Sequence, residues 1–186
     1  MQIHPHAEMH LMLMGIQYYV AGRAAARCHL IPVTGILMHH AVEMILKSDL
    51  SRTRALEEIK QEFGHDLVRA WTAFKRDHPG VALDDLDDLI SGLDLFDEIR
   101  YPDEYLKHGA SMSLQYGPPE EYVKPERGPN TAKYLLNVNE LDSLIARLFR
   151  VSRINPPGYL GGLNQEAFRF LTVENGEAGA WGLRQQ

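Results

Sequence analysis

The chain has 186 residues, of which 45% are hydrophobic and 24% are charged, and its formal net charge at pH 7 is −6. These proportions are typical of one globular domain, and the negative charge argues against broad, sequence-independent binding of nucleic acid, which needs positive charge to neutralise phosphates. Cys28 is the single cysteine, which excludes an intrachain disulfide and a thiolate metal cluster and predicts a reducing, cytoplasmic location.

The first predicted element is a helix over residues 7–29. The N-terminus lacks a basic region followed by a long apolar core, so we expect no signal peptide. The most apolar run of the helix, 9–20, is too short to span a bilayer, so we expect no contact with a membrane. Pro32 cannot continue this helix but is tolerated in the first turn of a second helix, predicted over 33–49. Most faces of this second helix are apolar, which predicts a central position in the fold.

Two shorter helices follow in the chain. Ser51 or Thr53 is the expected cap of a third helix, and Gly64 is its expected left-handed end. Asp66 then opens a fourth helix, which closes at Pro79 and Gly80. The early connections are therefore short, as in an up-and-down bundle.

An acidic fifth helix is predicted over about 84–99, and a last core helix over about 139–154 with Asn139 as its cap. A long Gly/Pro-rich connection, 101–138, separates them.

We therefore predict an all-α, up-and-down bundle of about five helices. The bundle covers residues 1–154, with the long connection inside it, and 155–186 is expected to be an irregular C-terminal extension. Within that extension, 168–173 could form a short strand.

A polar stripe interrupts the second helix. His39, His40, Glu43 and Lys47 fall within an arc of about 100° on an ideal helix. One interpretation is an ion pair between Glu43 and Lys47 with histidine partners, and the other is a site that faces a cleft. Nitrogen and oxygen ligands at His39, His40 and Glu43 suit zinc or manganese, but the spacing matches no established zinc helix. No metal and no cofactor are therefore predicted.

Other candidate site residues lie outside the stripe. Arg23 and Arg27 lean toward the buried side of the first helix, so they either reach its rim or fork onto a carboxylate or phosphate, with Glu43 as an obvious internal partner. His65 would lie at a helix N-terminus, close to an anion site, and is a plausible general acid or base. Arg100 ends the acidic helix.

Three segments occur in an order that resembles the HEPN family (higher eukaryote and prokaryote nucleotide-binding). They are His40–Lys47, Gly64–Leu67 and the Arg-Tyr-Pro-Asp sequence Arg100–Asp103, and the resemblance covers roughly residues 7–154. It implies an all-α bundle, often dimeric, of a kind found in toxin–antitoxin and defence systems. Many members are metal-independent ribonucleases that use an Arg and a following His. The Arg-Tyr-Pro-Asp form resembles the smaller branch of the family, for which nucleotide binding rather than cleavage is the usual proposal.

The resemblance leads to three alternative functions. The first is a non-catalytic module that binds a nucleotide, another phosphate-bearing ligand or a protein partner, through a site formed by Arg23, His39, Glu43, Lys47, His65 and Arg100. The second is a metal-independent endoribonuclease that uses Arg100 and His108. The third is a structural dimerisation domain without a small ligand. The expected partners are a nucleotide or RNA, an antitoxin or nucleotidyltransferase-like protein, and a second copy of the chain; whether the protein is an enzyme stays open.

Overall fold

The computed structural model describes residues 6–101, 103, 106, 111–117 and 133–181. The α-helices within these ranges are α1 (Ala7–Arg27), α2 (Ile31–Leu50), α3 (Leu56–Phe63), α4 (Leu67–Asp77), α5 (Asp87–Asp94), α6 (Val138–Val151), α7 (Pro156–Leu160) and α8 (Gln165–Thr172). Short 3₁₀ helices cover Asp84–Leu86, Leu95–Arg100 and Ala178–Trp181. The predicted all-α helical bundle is confirmed, and none of the described helices is long and apolar enough to cross a membrane.

The centre of the core is an antiparallel pair formed by α1 and α2. Two glycines of α1 allow a close approach: a Cβ on Gly15 would lie 2.7 Å from Ile45 Cγ1, and one on Gly22 would lie 3.0 Å from Met38 Sδ. The contacts run backwards along α2 as they run forwards along α1, which shows that the two helices are antiparallel. From Met38 onward α2 is almost entirely buried, as its apolar surface predicts.

The connection between α3 and α4 has the predicted geometry. Gly64 ends α3 with φ +52°, a left-handed conformation that glycine adopts readily. Asp66 then caps α4, because its Oδ1 accepts a hydrogen bond of 2.8 Å from the backbone N–H of Arg69. His65 therefore lies between the residue that ends α3 and the residue that caps α4.

Two predicted helix caps are wrong. α3 begins after Ala55 and not at Ser51 or Thr53. The backbone N–H of Ala55 donates a hydrogen bond to the Glu58 side chain. α6 is capped by Asn137, whose Oδ1 accepts a hydrogen bond of 2.9 Å from the N–H of Asn139, the predicted cap. In both cases the predicted helix is present. Its first residue was predicted incorrectly because several polar residues near the boundary are suitable caps.

The acidic helix predicted over 84–99 is divided into α5 and two flanking 3₁₀ helices. The second of these, Leu95–Arg100, packs on α2 through the fully buried ring of Phe96. A Cβ on Gly35 would lie only 1.8 Å from Phe96 Cδ1, so the ring occupies the space that any other residue at position 35 would fill. This contact places the 3₁₀ helix beside α2, one turn before His39.

The long connection contains a small sheet that was not predicted. Strands β1 (Met112–Gln115) and β2 (Tyr134–Asn137) are parallel, with Met112 opposite Tyr134. Tyr134 and Leu136 are buried against the core. The sheet therefore anchors the connection immediately before α6.

The prediction of an irregular C-terminal extension is wrong, as is the strand predicted over 168–173. The segment forms α7, α8 and the 3₁₀ helix Ala178–Trp181, and buries Leu160, Leu171 and Trp181 in the same hydrophobic core as the bundle. Asn164 starts α8 by accepting a hydrogen bond of 2.8 Å from the Ala167 N–H. Burial of one helical face against the bundle thus outweighs the strand-like alternation of the sequence.

Candidate functional site

A buried carboxylate on α2 is the centre of the candidate site. Glu43 is 1% exposed, and its Oε1 lies 2.6 Å from Lys47 Nζ and 3.1 Å from His65 Nδ1. Its Oε2 lies 3.1 Å from His40 Nδ1. The ring of His39 packs edge-on against that of His40. We refer to these five residues, His39, His40, Glu43, Lys47 and His65, as the Glu43 cluster.

Local sequence explains how the cluster forms. His39, Glu43 and Lys47 are spaced by four residues and so lie along one side of α2. His65 arrives from the turn between α3 and α4, and Lys47 Nζ also donates a hydrogen bond to the Gly64 carbonyl of that turn. Two of the three segments that carry the HEPN resemblance therefore meet at Glu43.

Hydrogen bonding keeps Glu43 ionised despite its burial. Burial alone would raise the pKa of the Glu43 carboxyl group. Hydrogen bonds from His40 and Lys47, together with the charges of Lys47 and His65, outweigh that effect and lower the pKa to about 2. At neutral pH the cluster thus contains a buried carboxylate whose charge is balanced by Lys47.

His39 differs from the other two histidines because it is 1% exposed. Burial lowers the pKa of its imidazole, which favours the neutral ring. Its Nδ1 lies 3.3 Å from the Leu93 carbonyl, whereas its buried Nε2 has no hydrogen-bond partner among the described residues. Buried polar atoms in folded proteins are usually hydrogen-bonded, so Nε2 is a candidate to bind a ligand.

Two further atoms of this kind lie on the 3₁₀ helix that packs on α2. They are Asp97 Oδ1 and Arg100 Nε. Arg100 also forms an ion pair of 3.3 Å with Asp97 Oδ1, at an angle too poor for a hydrogen bond, and its side chain is 28% exposed. Burial lowers the pKa of His39, and the charge of Asp97 is among the weaker effects that oppose it, so Asp97 lies within electrostatic range of the Glu43 cluster and Arg100 pairs with Asp97. His108, the other residue of the predicted ribonuclease pair, lies outside the described residues.

Arg23 does not belong to the cluster, and the expectation that Glu43 is its partner is wrong. Its guanidinium forms a buried ion pair with Asp142 of α6 and donates hydrogen bonds to the carbonyls of Phe170, at 2.9 Å, and Val173, at 2.6 Å. Tyr19 donates a hydrogen bond of 2.5 Å to the other oxygen of Asp142. Arg23 thus joins α1 to α6 and to the C-terminal segment, because its face of α1 points toward those elements and not toward Glu43.

Arg27 lies one turn after Arg23 and reaches the rim of the molecule. It forms an ion pair of 2.8 Å with Glu174, and both side chains are substantially exposed. The sequence analysis missed Asp142, although its position three residues before the buried Ile145 places it on the inward face of α6. That position was a usable signal, because a carboxylate on a buried face requires a partner.

A cleft of about 890 Å³ lies beside α7 and α8. Its lining includes Leu160, Leu163, Phe168 and Arg169, and no member of the Glu43 cluster. This cleft is therefore distinct from the site that the sequence predicts around Glu43.

No protein-family model matches the chain, and no curated protein or solved structure matches it either. The similarity to HEPN domains accordingly rests on the three sequence segments and stays a prediction.

Proposed function

We propose that the chain is a non-catalytic binding module, similar to HEPN domains, that holds a nucleotide or another phosphate-bearing ligand beside Arg100 and His65. The observation that carries this proposal is the Arg100 Nε, a buried donor that has no acceptor among the described residues, on a side chain that pairs with Asp97. A guanidinium offers donors in a planar fork that matches phosphate oxygens.

Hydrogen bonds within the protein leave only some of the six predicted site residues available to a ligand. Lys47 is committed to Glu43 and the Gly64 carbonyl, and Arg23 is committed to Asp142 and two carbonyls of the C-terminal segment. A phosphate would therefore be bound by groups that keep spare donors. These are Arg100 and His65, whose ring is 54% exposed.

A binding role requires only the groups just described, whereas the ribonuclease alternative also requires His108. A homodimer, and an antitoxin or nucleotidyltransferase-like partner, belong to the same proposal because the resemblance to HEPN domains implies them. Their expected role is to present or regulate the ligand site.

Isothermal titration against nucleoside mono-, di- and triphosphates and pyrophosphate tests the proposal. We expect saturable heat for the wild type and binding at least about 10-fold weaker for Arg100→Ala, which follows from the loss of a charge-assisted hydrogen bond. Arg169→Ala is the matched control, because Arg169 is 67% exposed and its side chain contacts Glu166 only loosely, at 3.7 Å. Absence of heat with every ligand, or equal affinity in Arg100→Ala, would reject phosphate binding at this site.

A further inference from the structure

We propose that His39, His40 and Glu43 bind one first-row transition metal ion, with zinc as the reference case. One ligand atom from each of the three residues lies within 4.8 Å of the other two. Two imidazoles and one carboxylate form a donor set that such ions accept, with one coordination position left open. This proposal does not depend on whether the protein binds a nucleotide.

The two oxygens of Glu43 have different surroundings. Oε1 interacts with Lys47 and His65, whereas Oε2 contacts only His40 among the hydrogen bonds of the described residues. An ion would bind Oε2 and the Nδ1 lone pair of His40, so the ring would adopt the tautomer that carries its proton on Nε2, with solvent taking the Nδ1 proton and supplying the one on Nε2. Two ligands of a tetrahedral ion at about 2.0–2.2 Å lie about 3.3 Å apart. The observed separation of 3.1 Å between Nδ1 and Oε2 is already close to this value.

His39 is prepared to act as the third ligand. When Nδ1–H donates to the Leu93 carbonyl, Nε2 retains a lone pair, and this buried atom has no partner within the part of the chain that the structure describes. A metal-bound histidine characteristically donates its other N–H to a carbonyl or carboxylate, which fixes the tautomer and the ring orientation. The missing partner of Nε2 is thus explained by an ion.

Binding requires only a small contraction of the three ligands. The three ligand atoms lie within 4.8 Å of one another, whereas two ligands of a tetrahedral ion lie about 3.3 Å apart. The distance between any two of them would therefore have to decrease by about 1.5 Å at most. The His40 side chain is 19% exposed and packs between the rings of Tyr18 and His65, so this ring can follow a small shift of the His39 ring while Nδ1 stays close to Oε2. Lys47 and His65 would remain on Oε1 and orient the carboxylate.

Zinc titration of the metal-free 186-residue chain against a chromophoric chelator, without nucleotide, tests the proposal. We expect one equivalent of tight binding at this site, and affinity at least about 100-fold lower in His39→Gln and in His40→Ala, because each removes a direct ligand. Gln at position 39 removes the imidazole ligand and keeps a polar side chain of similar length. The matched control replaces His4, His6 and His10 with Ala and should still bind one equivalent of zinc, since none of these histidines is a ligand in the proposal.

Cobalt(II) provides an independent readout of the same site. The wild type should give the intense visible bands of a four-coordinate ion, and Glu43→Gln should abolish them. Circular dichroism checks that each variant is folded; if Glu43→Gln is unfolded because Lys47 loses its partner, His39→Gln and His40→Ala decide. Zinc binding that survives both substitutions, binding that disappears only with the N-terminal histidines, or no binding at all would overturn the proposal. None of these outcomes by itself rejects nucleotide binding, because the zinc titration contains no nucleotide.

Discussion

Arg23→Met tests the buried ion pair that joins α1 to α6. The Asp142 side chain is 2% exposed, so the substitution leaves its carboxylate buried with Tyr19 as the remaining donor. Removal of one partner from a buried pair costs about 3–5 kcal/mol of unfolding free energy. For a domain of this size the loss corresponds to a decrease in Tm of about 6–20 °C. Arg27→Met is the matched control, because its pair with Glu174 is exposed and contributes about 0–1 kcal/mol.

The same variant has a defined pH dependence. Burial already raises the pKa of Asp142 in the folded protein, and Arg23 opposes that rise. Removal of Arg23 therefore raises the folded-state pKa further above its unfolded value, so the uncharged form stabilises the folded variant and this contribution is lost as pH rises through the folded pKa. Urea unfolding should show a larger deficit at pH 8 than at pH 5. A deficit below about 1 kcal/mol at pH 8, or one independent of pH, would refute the reasoning.

Three further substitutions have expected outcomes. Gly35→Ala displaces the Phe96 ring and should lower the unfolding free energy by about 3 kcal/mol or more, measured by urea unfolding. Lys47→Met leaves the Glu43 carboxylate without its ammonium partner and should cost about 3 kcal/mol in the same assay. Asp66→Ala removes the α4 cap and should cost about 1 kcal/mol, seen as a lower thermal midpoint with an unchanged fold by circular dichroism.

The central helices could be predicted because their signals are local. α2 combines a long apolar surface with Pro32 in its first turn, and the α3–α4 connection combines Gly64 with Asp66. The C-terminal segment carries a conflicting signal, since residues 168–173 alternate like a strand. Its helical form depends on burial of Leu171 and on hydrogen bonds from Arg23, which come from the opposite end of the chain. Periodicity within the segment cannot reveal that contact.

The candidate site likewise contains residues whose positions follow from local sequence and residues whose positions do not. The juxtaposition of His39, Glu43 and Lys47 follows from helical spacing within α2, so the sequence indicates it directly. The partner of Arg23 does not follow from spacing, because Asp142 lies 119 residues away along the chain. The position of Arg100 depends on a 3₁₀ helix held by the fit between Gly35 and a phenylalanine ring, which no motif encodes.

Charge balance links the phosphate and metal proposals. Lys47 already neutralises Glu43, and Asp97 partly neutralises Arg100, so the described side chains offer a phosphate little net positive charge. A zinc ion would add two positive charges and an open coordination position beside these groups. Phosphate and metal would then bind with a favourable coupling free energy, and each would raise the affinity for the other by the same factor. By this argument a bound metal would strengthen phosphate binding, while Arg100 and His65 would remain the groups that donate to the phosphate directly.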